Sequence, residues 1–360
     1  MQSVASEVVV AQALRIHQDA IVIAGHTDIC PDVAKRQRSG ETGSFVARHA
    51  PVLRKGGISA VCDHVAGDAQ YLIDFPFRNT LAANRLKFGL QGVEAIYREQ
   101  QASPNDVSVA TTVDEIVRAK AEGKVAIVIC FEGASPIEDD TSLLDIYHRL
   151  GVRIIGLTHD HRNLLADGLG TGGTGGLTSL GREAVREMNR LGIVVDISHL
   201  NEAGFWDVIE TSTAPIHASH SNSAALRNHR RNLSDEQLVA IAATGGVVGV
   251  HAMGAFVSER EGQPTLEEFV DHIEHMVEVM GDDHVAIGPD LMENYPDAEY
   301  ALLWKSKQLP EFAFVYPDGF TSLSQLPNVT IELVRRGFSE STISKILGGN
   351  LLRLFGEIWG

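Results

Sequence analysis

Eight short apolar runs, each with a histidine or an acid at or near its end, most narrowly limit how this chain can fold. The first, at 21–31, reads IVIAGHTDICP, and the others lie at 58–64, 124–132, 152–159, 193–199, 214–220, 246–251 and 284–290. Short β-branched runs that stop at a breaker read as buried strands. Helical patterns separate them at 4–19, 78–101, 113–122, 142–150, 179–191 and 265–280, and Ser234 with Gln237 opens another through a capping-box pattern. No strand alternates apolar with polar residues, so both faces are covered, as in a parallel sheet wrapped by helices. Eight such units predict an α/β fold of the closed (β/α)8 TIM barrel type. A doubly wound sheet is the runner-up, but no glycine-rich nucleotide fingerprint follows the first strand. The polar, basic stretch 34–48 reads as a loop over one end of the fold.

A chain of 360 residues suits two average domains or one large barrel. No linker-like stretch and no block of like charge divides it, so a single domain over 1–360 is expected. The formal charge of −17 argues against nucleic acid or an anionic membrane as partner, because no basic stripe exists to neutralise phosphates. A small-molecule substrate fits better. Cys30, Cys62 and Cys130 sit in apolar runs and read as reduced core thiols of a cytoplasmic protein. The opening MQSVASEVVVAQALRIHQD lacks the basic start and apolar core of a signal peptide, and no apolar run nears membrane-spanning length.

In such a barrel the C-terminal strand ends face the active site. Here they carry His26, Asp28, His64, Glu132, His159, His199, His220, His251 and Asp290. One buried histidine is more often a satisfied core residue than a ligand; so many at corresponding ends indicate a site. Neutral imidazole and ionised carboxylate are what a borderline divalent cation selects. Two ions side by side need a bridging anion. No lysine stands at any strand end, which leaves Glu132, followed by the small Gly133 and Ala134, as the bridge. His26 and Asp28 then hold one ion, and His199 and His220 the other. A hydroxide bridging two such ions is a strong nucleophile at neutral pH. Asp290 is placed to move the proton, with a turn carboxylate beside Pro289 as its bland alternative.

The ordered stretches GHTD (25–28), LRKGGISA (53–60), FEG (131–133), LTH (157–159), GLTSLGREAVREMNRLGIVVDISHL (176–200), PIHASHSNSAALRNHRRNLSDEQL (215–238) and LPNVTIELVRRGFSESTISKILGGNLLRLF (326–355) run nearly end to end. In these the chain resembles the renal (membrane) dipeptidase family, zinc peptidases on an amidohydrolase-type barrel. The resemblance implies two zinc ions per chain, with His26 and Asp28 on the first, His199 and His220 on the second, and Glu132 between them. It implies that His159 polarises the scissile carbonyl and that Arg231, preceding Asn232, binds the substrate's terminal carboxylate. Arg230 is then a solvated neighbour, Asp290 the acid/base, and a homodimer a common assembly.

Several positions depart from the family pattern. Ala24 stands where an aspartate usually precedes the first histidine by two residues, which removes a supporting carboxylate. His251, Ala252, Met253 and Gly254 replace Asn-Phe-Tyr-like pocket residues, Leu291, Met292 and Glu293 replace Phe-Asp-Gly, and 159–163 is unusually charged. His251 is therefore expected to face substrate, His64 to have a packing or supporting role, and His217 to be a hydrogen-bonded core residue. His161, His272, His275 and His284 are read as solvated. The leading expectation is zinc-dependent hydrolysis of a dipeptide or dipeptide-like amide. The alternatives are hydrolysis of a non-peptide amide or lactone, and a mononuclear decarboxylase on the same barrel.

Overall fold

Each apolar run becomes a parallel strand. With one short addition, β3, the strands are β1 (Ile23–Thr27), β2 (Ala60–Gly67), β3 (Val107–Val109), β4 (Val125–Glu132), β5 (Val152–Gly156), β6 (Val194–Asp196), β7 (His217–Ala218), β8 (Val247–Val250) and β9 (Val285–Ile287). The computed structural model describes residues 2–68, 84–260, 262–294 and 315–359. Hydrogen bonding runs in the order β1-β2-β4-β5-β6-β7-β8-β9, and every pair is parallel. β1 and β9 approach each other to nearly close the ring: a Cβ placed on Gly25 would lie 3.0 Å from Ile287 O, tighter than an ordinary contact. This is the expected eight-stranded barrel.

The strand β3 was not legible. Its three residues pair with Val125–Ile127 of β4, below the point where β5 takes over at Ile129. A three-residue strand is too short to carry a periodic signal. The region 34–48 is a second difference, because helix Cys30–Arg38 occupies its first part and a turn at Phe45–His49 leads into helix Ala50–Lys55. Pro31 in the first turn, Asp32 beside it, and Lys35, Arg36 and Arg38 in the last turn suit the helix dipole. Of the helix read at 78–101, the part from Arg85–Ala102 is present, and 78–83 lies outside the described residues.

Two apolar layers hold the barrel. The interior is filled by small and branched residues from successive strands, including Ile23, Ala60, Cys62, Val128, Ile154 and Val247. The outer layer, with Val22, Ala24, Val61, Val65 and Ile127, packs beneath the helices. Helix Asn350–Trp359 covers the N-terminal strand ends, where Arg353 donates to Gly245 O and Asp283 O. The C-terminal strand ends lie on the opposite face. The three cysteines are buried and free. Among the described residues no helix is long and apolar enough to cross a membrane. His272, read as solvated, is wholly buried: its Nδ1 accepts from Ser223 N and its Nε2 donates to Val257 O. Apolar spacing along helix Leu266–Met280 did not reveal that a polar ring could face inward with both nitrogens satisfied.

Candidate metal centre

Four imidazoles converge on one oxygen. From Glu132 Oε1, His199 Nε2 lies at 2.9 Å, His220 Nε2 at 3.4 Å, His26 Nε2 at 3.7 Å and His159 Nε2 at 3.8 Å. Glu132 is the last residue of β4, and Gly133 turns the chain at a φ of +104°. A Cβ on Gly133 would fall 2.5 Å from Asp68 Cγ, so the residue after Glu132 has to be glycine. His26 lies within β1, whereas His159, His199, His220 and His251 sit in the turns just past their strands, because β5, β6, β7 and β8 end at Gly156, Asp196, Ala218 and Val250.

Two groups with ligand atoms mutually within 4.8 Å share this carboxylate: His26–Glu132–His220 and Glu132–His159–His199. A third, His26–Asp28–Asp290, brings the expected first-ion residues together, and a fourth joins His26, His64 and Asp196. Ring geometry sorts these groups. An imidazole lone pair lies in the ring plane, so stacked rings aim along nearly parallel lines and are poorly placed to share an ion. His26 and His64 stack at 3.8 Å and 19°, and His159 and His199 at 3.8 Å and 28°. His199 and His220 are instead tilted by 55° with their Nε2 atoms 3.0 Å apart. By the same test His26 and His220, tilted by 44° with centroids 3.7 Å apart, are also able to share an ion, so ring geometry is compatible with either partner for His220.

The donor set fits a pair of divalent cations. His26 Nε2 is buried without a hydrogen bond, a costly state for a ring nitrogen that a cation would relieve. Burial pushes His26 and His220 well below the ordinary imidazole range, so both present neutral nitrogen. The far sides of the rings are held as well. Ser219 Oγ lies 3.1 Å from His26 Nδ1 and 2.8 Å from His220 Nδ1, and itself donates to Asp196 Oδ2 at 2.6 Å. Asp160 stands 3.3 Å from His199 Nδ1 and 3.4 Å from His159 Nδ1. Asp68, buried, accepts from His159 N at 2.9 Å and from Ser135 and Asn163. Sequence reasoning missed Ser219, Asp196 and Asp68. The only trace of Ser219 and Asp196 is their place beside His220 and His199 in HASH and DISH, which does not distinguish a hydrogen-bonding partner from a small filler; Asp68 stands in neither stretch.

The remaining expected residues also gather here. Asp290 follows β9 with a φ of +52°, uncommon for a non-glycine residue and typical of functional turns. Its Oδ1 lies 3.8 Å from His26 Nε2, and its Oδ2 lies 2.9 Å from His251 Nε2. His251, buried, is thus engaged with a carboxylate rather than standing alone as a pocket wall. Arg231 is 5% exposed; its Nη1 donates to Ser198 O and Ser221 Oγ, and its Nη2 lies 3.2 Å from His199 Nε2. Among the described residues no carboxylate forms an ion pair with this buried guanidinium, whereas Arg230 is exposed. His64 is buried against His26 with neither ring nitrogen hydrogen-bonded, and His217 donates to Val247 O inside the barrel.

A family model described as "Membrane dipeptidase (Peptidase family M19)" matches residues 10–299 and 311–359. Dipeptidase tcpJ of Claviceps purpurea is 30% identical over 270 residues, 74% of this chain and 59% of its own length. Dipeptidase verJ of Clonostachys rogersoniana is 28% identical over 366 residues, 97% of this chain and 87% of its own length. Among solved structures, an amidohydrolase from Pseudomonas aeruginosa superimposes with a TM-score of 0.80 at 27% identity, covering 97% of this chain and 99% of that one. A metallo peptidase from Rhodobacter sphaeroides, liganded with a phosphinate mimic of the dipeptide L-Ala-D-Ala, gives 0.80 at 25% identity, covering 95% and 100%.

Proposed function

Because the chain belongs to the membrane dipeptidase family, peptidase family M19, we propose that it is a zinc-dependent dipeptidase acting on a dipeptide or dipeptide-like amide. The observation that carries this reading is the convergence of four imidazole nitrogens on Glu132 Oε1, with Asp28 and Asp290 at one flank. His26 and Asp28 would hold one zinc ion, His199 and His220 the other, with Glu132 between them. When bound, such ions lower the pKa of water and polarise a carbonyl oxygen, which supplies a nucleophile at neutral pH.

The chain's own residues do the rest. Arg231, buried without a carboxylate partner among the described residues, receives the terminal carboxylate of the substrate. A guanidinium fork matches that group in two hydrogen bonds, and its desolvation makes an incoming anion favourable. That carboxylate places the scissile amide over Glu132, where His159 borders the carbonyl oxygen and donates to it as negative charge develops. Asp290 takes a proton on Oδ1, the oxygen turned toward His26, and passes it to the leaving nitrogen. His251 holds the other oxygen and keeps the carboxylate from rotating away.

Metal analysis of the purified protein, with hydrolysis assayed over L,L and L,D dipeptides, tests the proposal. About two zinc ions per chain with turnover is the expected result. Two ions with activity only on other amides or lactones would keep the site and change the substrate. A single ion with decarboxylation would replace the reading.

A further inference from the structure

Asp63 on β2 is fully buried, and among the described residues no lysine, arginine or histidine forms an ion pair with it. Its carboxylate accepts three hydrogen bonds from the end of β1 and the turn after it. Thr27 Oγ1, its proton shared with Cys62 O at 3.3 Å, donates to Oδ1 at 3.2 Å, Ile29 N to Oδ1 at 2.8 Å, and Cys30 N to Oδ2 at 3.1 Å. Those donors flank Asp28 on both sides. The β1–β2 ladder explains how they come together: Ala24 pairs with Val61, the register then slips, and Thr27 faces Asp63. The slip lets His26 turn into the barrel mouth while Asp63, two residues past Val61, shares Val61's helix-facing side. Ala24, on that same side of β1, offers no polar group.

A buried carboxylate is an expensive way to satisfy these donors. Burial pushes Asp63 up to about 7 despite the three hydrogen bonds. Helix Cys30–Arg38 has no side-chain cap at Ile29, so two of the three bonds also meet the first N–H groups of that helix. The three bonds also reach back to Thr27, before Asp28, which no helix cap requires.

We propose that Asp63 is a positioning residue for Asp28, clamping the backbone on either side of it so that its carboxylate stays beside His26 at the first metal position. The proposal rests on the reading of Asp28 as a ligand. The experiment compares the full-length parent, Asp28→Ala, Asp63→Ala and Asp63→Asn after loading with zinc, and separately with cobalt(II). Metal per chain, the two stepwise affinities and the cobalt visible spectrum are recorded, with circular dichroism as the folding check.

Asp63→Ala is expected to weaken one of the two ions by about tenfold or more, the scale for loss of a supporting partner, and to leave the other unchanged. Asp63→Asn, which turns a donor toward Cys30 N, is expected to fall between Asp63→Ala and the parent, with an altered cobalt spectrum. Should Asp63→Ala not fold, Asp63→Asn decides. Parent-like affinities and spectrum in the folded Asp63 variants, with one ion lost in Asp28→Ala, would overturn the proposal and make Asp63 a helix cap only. Both ions retained in Asp28→Ala would instead overturn the ligand reading itself.

Discussion

His251 Nε2 lies 2.9 Å from Asp290 Oδ2, which makes the last acidic residue of the barrel mouth one half of a pair. Burial, with the charge of Arg231 adding to it, pushes the His251 imidazole well below its ordinary range. The neutral ring therefore donates and the carboxylate accepts. Asp290→Asn is expected to lower kcat by about two to four powers of ten, the range for loss of general acid–base catalysis. His251→Gln keeps a donor and should lose much less than His251→Ala, with KM little changed in both. Equal losses in steady-state assays would reduce His251 to a packing residue.

Arg231 offers a second test. Removing a charge-assisted contact worth about 1.5–3 kcal/mol corresponds to a tenfold to hundredfold fall in kcat/KM. Arg231→Ala should show that fall on dipeptides with a free C-terminus. On C-terminally amidated analogues the change should be small. Equal effects on both substrates would separate Arg231 from the carboxylate.

Glu132 is shared by both ligand groups, so its loss should cost both ions. Chelation is expected to lower the thermal midpoint of the parent, because a cation that binds only the folded chain stabilises it. Glu132→Ala should start near the chelated midpoint and respond to neither chelator nor added zinc. A full zinc-induced shift in that variant, measured by calorimetry, would contradict the bridging role.

Burial pushes His272 down to about 4 from an ordinary 6.5. The unfolded chain therefore binds this proton first as pH falls. Stability is intact above pH 6.5, erodes between 6.5 and about 4, and has lost this contribution below that, a change of order 3 kcal/mol at 1.36 kcal/mol per pH unit. His272→Gln can still accept from Ser223 N and donate to Val257 O. Denaturant titrations at pH 7 and pH 4 should show a smaller acid-induced loss for the variant than for the parent. An identical loss in both would mean that His272 is not the titrating group.

How much of this was legible in the sequence varies by residue. The barrel strands and the meeting of His26, Glu132, His159, His199, His220 and Asp290 at one mouth followed from apolar runs ending in ligand-type residues, and the capping box followed from the spacing of Ser234 and Gln237. His272 was misread because helical spacing reports only which face is mostly apolar. The strand β3 and helix Cys30–Arg38 were missed for a related reason: one is too short for a period, and the other has its N–H groups met by Asp63 from a different strand.

The sequence by itself determined the eight barrel strands and which chemistry stands at their C-terminal ends, because apolar runs and helical spacing are local properties of the chain. Only the tertiary structure decided how those groups are aimed. The stacking of His159 on His199, the tilt between His199 and His220, the hydroxyl of Ser219 behind two imidazoles, and the clamp of Asp63 around Asp28 all join residues on different strands. Their geometry is set by the register between strands and by the slip between Ala24 and Thr27, and no residue encodes that register alone.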